Sequence, residues 1–216
     1  GDLLLGAAFR EMASAGSARA VTILGGAALE MTRGETTQRA SAFDLGVGRD
    51  EYVERCRRKT AALFVAACRI GAIVGGSGPV AERLLAGVAE DLGVAFQILD
   101  DVLDITAPAS DTGKARGTDL RDGTVTLPVI MALRIDPALR SEITRRRDED
   151  VEGLCDDLAT HDGLWLAREQ GLDHVRAARR RAALLPATVD VAVVHAILDG
   201  VASRLADPSR DTARAA

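Results

Sequence analysis

Gln97, Asp100, Asp101 and Asp104 stand three and four positions apart in the stretch Phe96-Gln97-Ile98-Leu99-Asp100-Asp101-Val102-Leu103-Asp104. On a helix, that spacing puts one amide and three carboxylates on a single face. Like charges so close repel, and burying them beside Leu99, Leu103 and Ile105 is costly unless a cation sits among them. Carboxylate oxygens suit magnesium, which keeps several waters and bridges one or two protein carboxylates to the phosphate oxygens of a substrate. The pattern points to a magnesium diphosphate site, with Asp100 as primary ligand and Asp101 and Asp104 in support. Taken alone, the acids leave open an exposed acidic patch on an amphipathic helix.

The elements that must position these groups read as helices throughout. Apolar residues recur at three and four, and Ala and Leu dominate. The pattern predicts helices over 2–15, 17–38, 50–75, 79–106, 124–134, 137–147, 149–160, 162–184 and 187–206, with no strand. Gly75-Gly76-Ser77-Gly78-Pro79 ends one helix and opens the next with proline in its first turn. Asp136-Pro137 and Leu185-Pro186 break later ones. One all-α helical domain is expected over 1–206, followed by a frayed polar tail at 207–216. The long segment 107–123, rich in Pro, Gly, Ser and Asp, is expected to be a mobile binding loop or lid.

Composition narrows the function classes. The chain has 216 residues, a net charge of -5 and 47% hydrophobic residues, enough for one sizeable core. No basic stripe interleaved with aromatics is present, so nucleic-acid binding is not expected, and Arg57-Arg58, Arg145–Arg147 and Arg179–Arg181 read as solvated helix faces. Cys56, Cys68 and Cys155 lack CxxC spacing and make an odd count, which supports neither a disulfide framework nor a zinc site. A reducing cytoplasm is the default, and charged residues such as Arg69, Glu82 and Glu90 interrupt any run long enough to span a membrane. His161, His174 and His195 have no metal-ligand spacing.

Four segments, in order, resemble one family. Gly1-Asp2-Leu3-Leu4-Leu5-Gly6-Ala7-Ala8-Phe9 comes first, then Tyr52-Val53-Glu54-Arg55-Cys56-Arg57-Arg58-Lys59-Thr60-Ala61-Ala62-Leu63-Phe64. The Asp100-Asp101-Val102-Leu103-Asp104 motif follows, and then Gly113-Lys114, Gly117-Thr118-Asp119-Leu120 and Thr126-Leu127-Pro128. The succession resembles the trans-isoprenyl diphosphate synthases, or polyprenyl synthetases, and their second aspartate-rich region. The resemblance implies a terpenoid-synthase-type helical bundle that works as a homodimer. It implies magnesium-dependent condensation of isopentenyl diphosphate with an allylic diphosphate: the allylic diphosphate ionises, the double bond of isopentenyl diphosphate attacks, and a proton is lost. By resemblance, Lys59 and Lys114 bind diphosphate, Asp119 contacts substrate, and Thr60 and Gln97 present neutral oxygens to the developing cation.

Two departures stand out. Thr124 occupies the place where the family commonly carries a further lysine, so one positive charge is missing, and Thr124→Lys is expected to tighten diphosphate binding. The chain begins at Gly1, just downstream of where the family's first aspartate-rich region lies, and a preceding segment is expected. Asp148-Glu149-Asp150 and Asp156-Asp157 do not replace that region; their polar surroundings predict exposed helix starts. A non-catalytic relative that binds diphosphate and needs a partner for turnover therefore stands as the alternative. Product length is not encoded in these residues.

Overall fold

In the computed structural model of the chain, residues 1–107 and 115–206 are described. Among them are eleven α-helices and no strand, as the periodicity predicts. They are α1 (Asp2–Ser14), α2 (Ala18–Ala40), α3 (Arg49–Cys56), α4 (Ala62–Val74), α5 (Gly78–Thr106), α6 (Thr118–Arg121), α7 (Leu127–Ile135), α8 (Leu139–Glu149), α9 (Val151–Thr160), α10 (Asp162–Ala182) and α11 (Ala192–Leu205). Between α3 and α4 the helix continues through a widened π turn, Arg57–Ala61. Lys114 and the tail 207–216 lie outside the described residues.

The 29-residue helix α5 is the axis of the bundle. Ser77 precedes it and Pro79 sits in its first turn, where a missing N–H costs nothing. Its middle is apolar almost all round: Leu92, Gly93, Val94 and Ala95 are all buried, as befits a helix packed on several sides. It packs against α4, α10, α11 and the π turn. Ile98, Val102 and Ile105 join Leu127 and Val129 of α7, Leu154 of α9, and Leu198 and Leu205 of α11 in one continuous core. Burying side chains of this size stabilises the fold by roughly 1.5–3 kcal/mol each, before entropy is subtracted.

Several boundaries differ from the sequence reading. The expected helix 124–134 begins only at Leu127, because Gly123 has a left-handed φ of 73° and Thr126 is extended, with Pro128 opening the helix after it. Part of the expected loop is helical: α6 forms over Thr118–Arg121. The last helix starts at Ala192 rather than 187. The expected helix 50–75 is continuous, but its periodicity gave no sign of the π turn.

The acidic pairs are corrected too. Glu149 ends α8, and of the first group only Asp150 caps a helix, accepting from Gly153 N at 3.1 Å. Asp156 and Asp157 lie inside α9 and pair with Arg116 and Arg146. Nor are all the arginine runs solvated faces. The Arg146 side chain is 16% exposed between Asp150 and Asp157, and the Arg147 guanidinium lies 4.4 Å from the centre of the Phe43 ring.

Candidate active site

The π turn is the first thing the fold builds at the site. An ideal Cβ on Gly34 of α2 would stand 2.6 Å from the Lys59 backbone nitrogen, and one on Gly93 of α5 would stand 2.5 Å from Ala61 Cα. No side chain fits at either place. The two glycines let α2 and α5 close on the π turn from either side, and Lys59 and Thr60 are carried on it, between the two helices. Irregular π turns often mark functional positions.

From there a chain of hydrogen bonds runs to the aspartates. Thr60 Oγ1 donates to Gln97 Oε1 at 2.6 Å, and Gln97 Nε2 donates to Asp101 Oδ1 at 2.9 Å. Tyr52, fully buried on α3, donates its hydroxyl to Asp101 Oδ2 at 2.6 Å. Asp101 is 3% exposed, and both of its oxygens accept from protein donors. Arg55, also buried, holds Val125 O at 2.6 Å and lies 5.3 Å from the centre of the Tyr52 ring. Asp100 is the exposed member of the pair. Asp104 turns toward α6 and accepts from the backbone N–H groups of Thr118 and Asp119, each at 3.1 Å. It thereby ties the far end of the loop back to α5, a link reinforced by Gly117 N donating to Asp104 O at 2.8 Å.

Two adjoining cavities share Asp100 and Asp119. One, of about 220 Å³, is lined by Tyr52, Lys59, Gln97, Asp101 and Thr124 besides those two. The other, of about 230 Å³, is lined by Phe96, Leu103, Asp104, Arg116 and Arg204 among others. Of the residues selected in the sequence, the fold thus brings together Lys59, Thr60, Gln97, Asp100, Asp101, Asp104 and Asp119, whereas Lys114 lies outside the described residues. Reasoning from motifs missed Gln38 and gave no role to Tyr52 or Arg55. Tyr52 and Arg55 lie two turns and one turn before Lys59 on the same continuous helix, a spacing that signals a shared face. Gln38 had no local signal.

The electrostatics reflect how closely the buried acids crowd one another. Burial pushes the Asp119 carboxyl up to about 8, with Asp101, Asp104 and Asp100 adding to the rise and Lys59 opposing it. Asp101 is pushed up to about 6, mainly by burial, with Asp100 adding and the Tyr52 and Gln97 donors opposing. Hard oxygen donors crowded until their charged forms are disfavoured are the donor set that a divalent cation stabilises. Among the described residues, no three potential ligands already converge on one metal position. The carboxylates fit magnesium as a set that also needs ligands from a bound phosphate, which is its usual mode with nucleotide and diphosphate substrates.

The bundle defines an all-α fold in which a lysine and a cluster of carboxylates meet at one cavity. The polyprenyl synthetase family model matches residues 1–158, and the chain belongs to that family. It is 31% identical over 192 residues to the mitochondrial solanesyl-diphosphate synthase 1 of Oryza sativa, a match covering 88% of this chain and 45% of the relative. It is 39% identical over 134 residues to heptaprenyl diphosphate synthase component 2 of Geobacillus stearothermophilus, covering 62% and 42%. The chain thus spans less than half the length of these relatives. Among solved structures, a decaprenyl diphosphate synthase from Rhodobacter capsulatus superposes with a TM-score of 0.80 at 32% identity, over 92% of this chain and 63% of that one. A polyprenyl synthase from Caulobacter crescentus, solved with calcium and isoprenyl diphosphate, superposes with a TM-score of 0.81 at 28% identity, over 91% and 61%.

Proposed function

We propose that this chain carries the second metal-binding wall of a trans-polyprenyl diphosphate synthase, which condenses isopentenyl diphosphate with an allylic diphosphate. The observation that carries the reading is the convergence of Lys59, Gln97, Asp100, Asp101 and Asp119 on one cavity. The relatives' names, solanesyl, heptaprenyl and decaprenyl diphosphate synthase, support long all-trans products. The names are those of synthases, which disfavours the non-catalytic alternative, although the heptaprenyl relative is named as component 2 of one, which supports a partner subunit.

The roles follow from the geometry. Asp100 and Asp104 are the proposed magnesium ligands, with Asp101 in support through Gln97 and Asp119 completing the acidic wall. The metal, when bound, neutralises charge on the leaving diphosphate. Lys59 supplies a fixed positive charge to the same group, and such preorganised electrostatics is usually the largest catalytic contribution. As the allylic C–O bond breaks, its electron pair leaves with the diphosphate. The π electrons of isopentenyl diphosphate then form the new C–C bond, and a proton is lost to restore the alkene. Thr60 Oγ1 and Gln97 Oε1 are held oxygen to oxygen at 2.6 Å, so their lone pairs form a neutral, partly negative surface for the allylic cation. Lys114, by resemblance, adds a second charge from the loop.

Homodimerisation and a cytoplasmic location belong to the same reading. Among the described residues no helix is long and apolar enough to cross a membrane. The test is incubation of the full-length natural protein with radiolabelled isopentenyl diphosphate and a panel of allylic primers. Magnesium-dependent labelled products longer than the primer are expected; activity undiminished by chelation would sink the mechanism.

A further inference from the structure

Lys59 is held by an amide that no motif contains. Its ammonium donates to Gln38 Oε1 at 2.9 Å, while the other end of that amide, Nε2, donates to Thr124 Oγ1 at 3.2 Å. All three residues line the cavity that Asp100 and Asp119 share. An amide has one accepting end and one donating end, so Gln38 cannot turn over without setting its N–H groups against an ammonium. The Lys59 ammonium, a donor only, fixes which end of Gln38 faces it, and the Thr124 hydroxyl accepts from the other end and holds the amide in place.

Thr124 is itself pinned. Its N–H donates to Asp119 O at 2.8 Å, Phe43 N donates to Gly123 O at 2.8 Å, and Arg55 holds Val125 O. Phe43 is the only non-glycine residue with positive φ among the described residues, at 66°. Such a conformation persists where surrounding contacts over-determine it. Glu35 is the second partner of Lys59, at 3.3 Å, but that pair is 34% and 40% exposed. Solvent screens it, and it sets little direction.

We propose that Gln38 is a positioning residue that aims Lys59 at the diphosphate, and that Thr124 is its anchor. The inference rests on the reading of Lys59 as a diphosphate-binding lysine. It reverses the expectation drawn from charge alone. A lysine at position 124 would present only donors to Gln38 Nε2, turn the amide and remove the acceptor from Lys59. Thr124→Lys by itself weakens diphosphate binding.

The test is calorimetric titration of the full-length protein with inorganic diphosphate in magnesium, with thermal midpoints recorded for every variant. Lys59→Met weakens binding. Gln38→Leu weakens it about tenfold, the scale of losing a hydrogen bond to a charged group. Thr124→Val weakens it in the same direction, while Thr124→Ser, which keeps the acceptor, stays within about twofold of wild type. In the Lys59→Met background, Gln38→Leu has no further effect, because both changes act through one group. If Lys59→Met binds like wild type, the reading of Lys59 fails. If Lys59→Met is weaker but Gln38→Leu is not, or if Gln38→Leu weakens binding equally without Lys59, the positioning role is overturned. Tighter binding by Thr124→Lys overturns it as well. Should Gln38→Leu not fold, the Thr124→Val and Thr124→Ser pair decides.

Discussion

Asp100 and Asp101 are neighbours in sequence with opposite fates. Asp100 is exposed and lines both cavities, while Asp101 lines only one of them and is buried against Tyr52 and Gln97. Replacing each should read differently. Asp100→Ala is expected to cost at least about a hundredfold in kcat, the scale of losing one preorganised electrostatic contact. It should leave the urea midpoint unchanged or higher, since an acid leaves a repulsive cluster. A variant with normal turnover would remove Asp100 from the metal site. Tyr52→Phe takes a donor from a buried carboxylate and should destabilise the fold by about 1–3 kcal/mol, read from urea denaturation. The motif spacing made the acids legible, but it did not distinguish their environments. Partners such as Tyr52 and Gln38 lie 49 and 21 positions away from the groups they hold.

At the scale of elements, the site depends on how closely α2 and α5 approach the π turn. Gly93→Ala would drive a Cβ into the Ala61 backbone, at 2.5 Å, where no flexible side chain can yield. A loss of about 1–3 kcal/mol is expected, the usual cost of overpacking, measured by chemical denaturation. Gly71→Ala is the contrasting case. That glycine lies in α4 with nothing within 4 Å of its Cβ position, so the change should stabilise by up to about 1 kcal/mol through helix propensity. If both substitutions stabilise, the close approach is not a constraint. Helix existence was readable because apolar periodicity is local. The π turn was not, since it answers to Gly34 and Gly93, which are remote in sequence, while the start of α7 at Leu127 turns on Gly123 and Pro128, local signals that periodicity alone passes over.

For the whole molecule, the proposed reading is that a magnesium-bound diphosphate completes the site formed by the carboxylate cluster and Lys59. Magnesium with inorganic diphosphate at about a hundredfold excess over Kd should raise stability by about 2.7 kcal/mol, visible as a higher thermal midpoint. Asp100→Ala should lose that rise; an equal rise in the variant would place the ligand elsewhere. The sequence by itself determined the all-α class, and its motifs singled out the acids, Lys59, Thr60 and Gln97 that the fold brings to one place. Those features follow from periodicity and from short motifs in which each residue's neighbours are local. Only the tertiary structure decided which carboxylate is exposed and which is buried, how Asp104 anchors the returning loop through the amides of Thr118 and Asp119, and that an amide on α2 accepts a hydrogen bond from Lys59. A hydrogen bond needs two groups within about 3 Å. For partners separated by tens of residues, that proximity is produced by packing, and no local pattern encodes it.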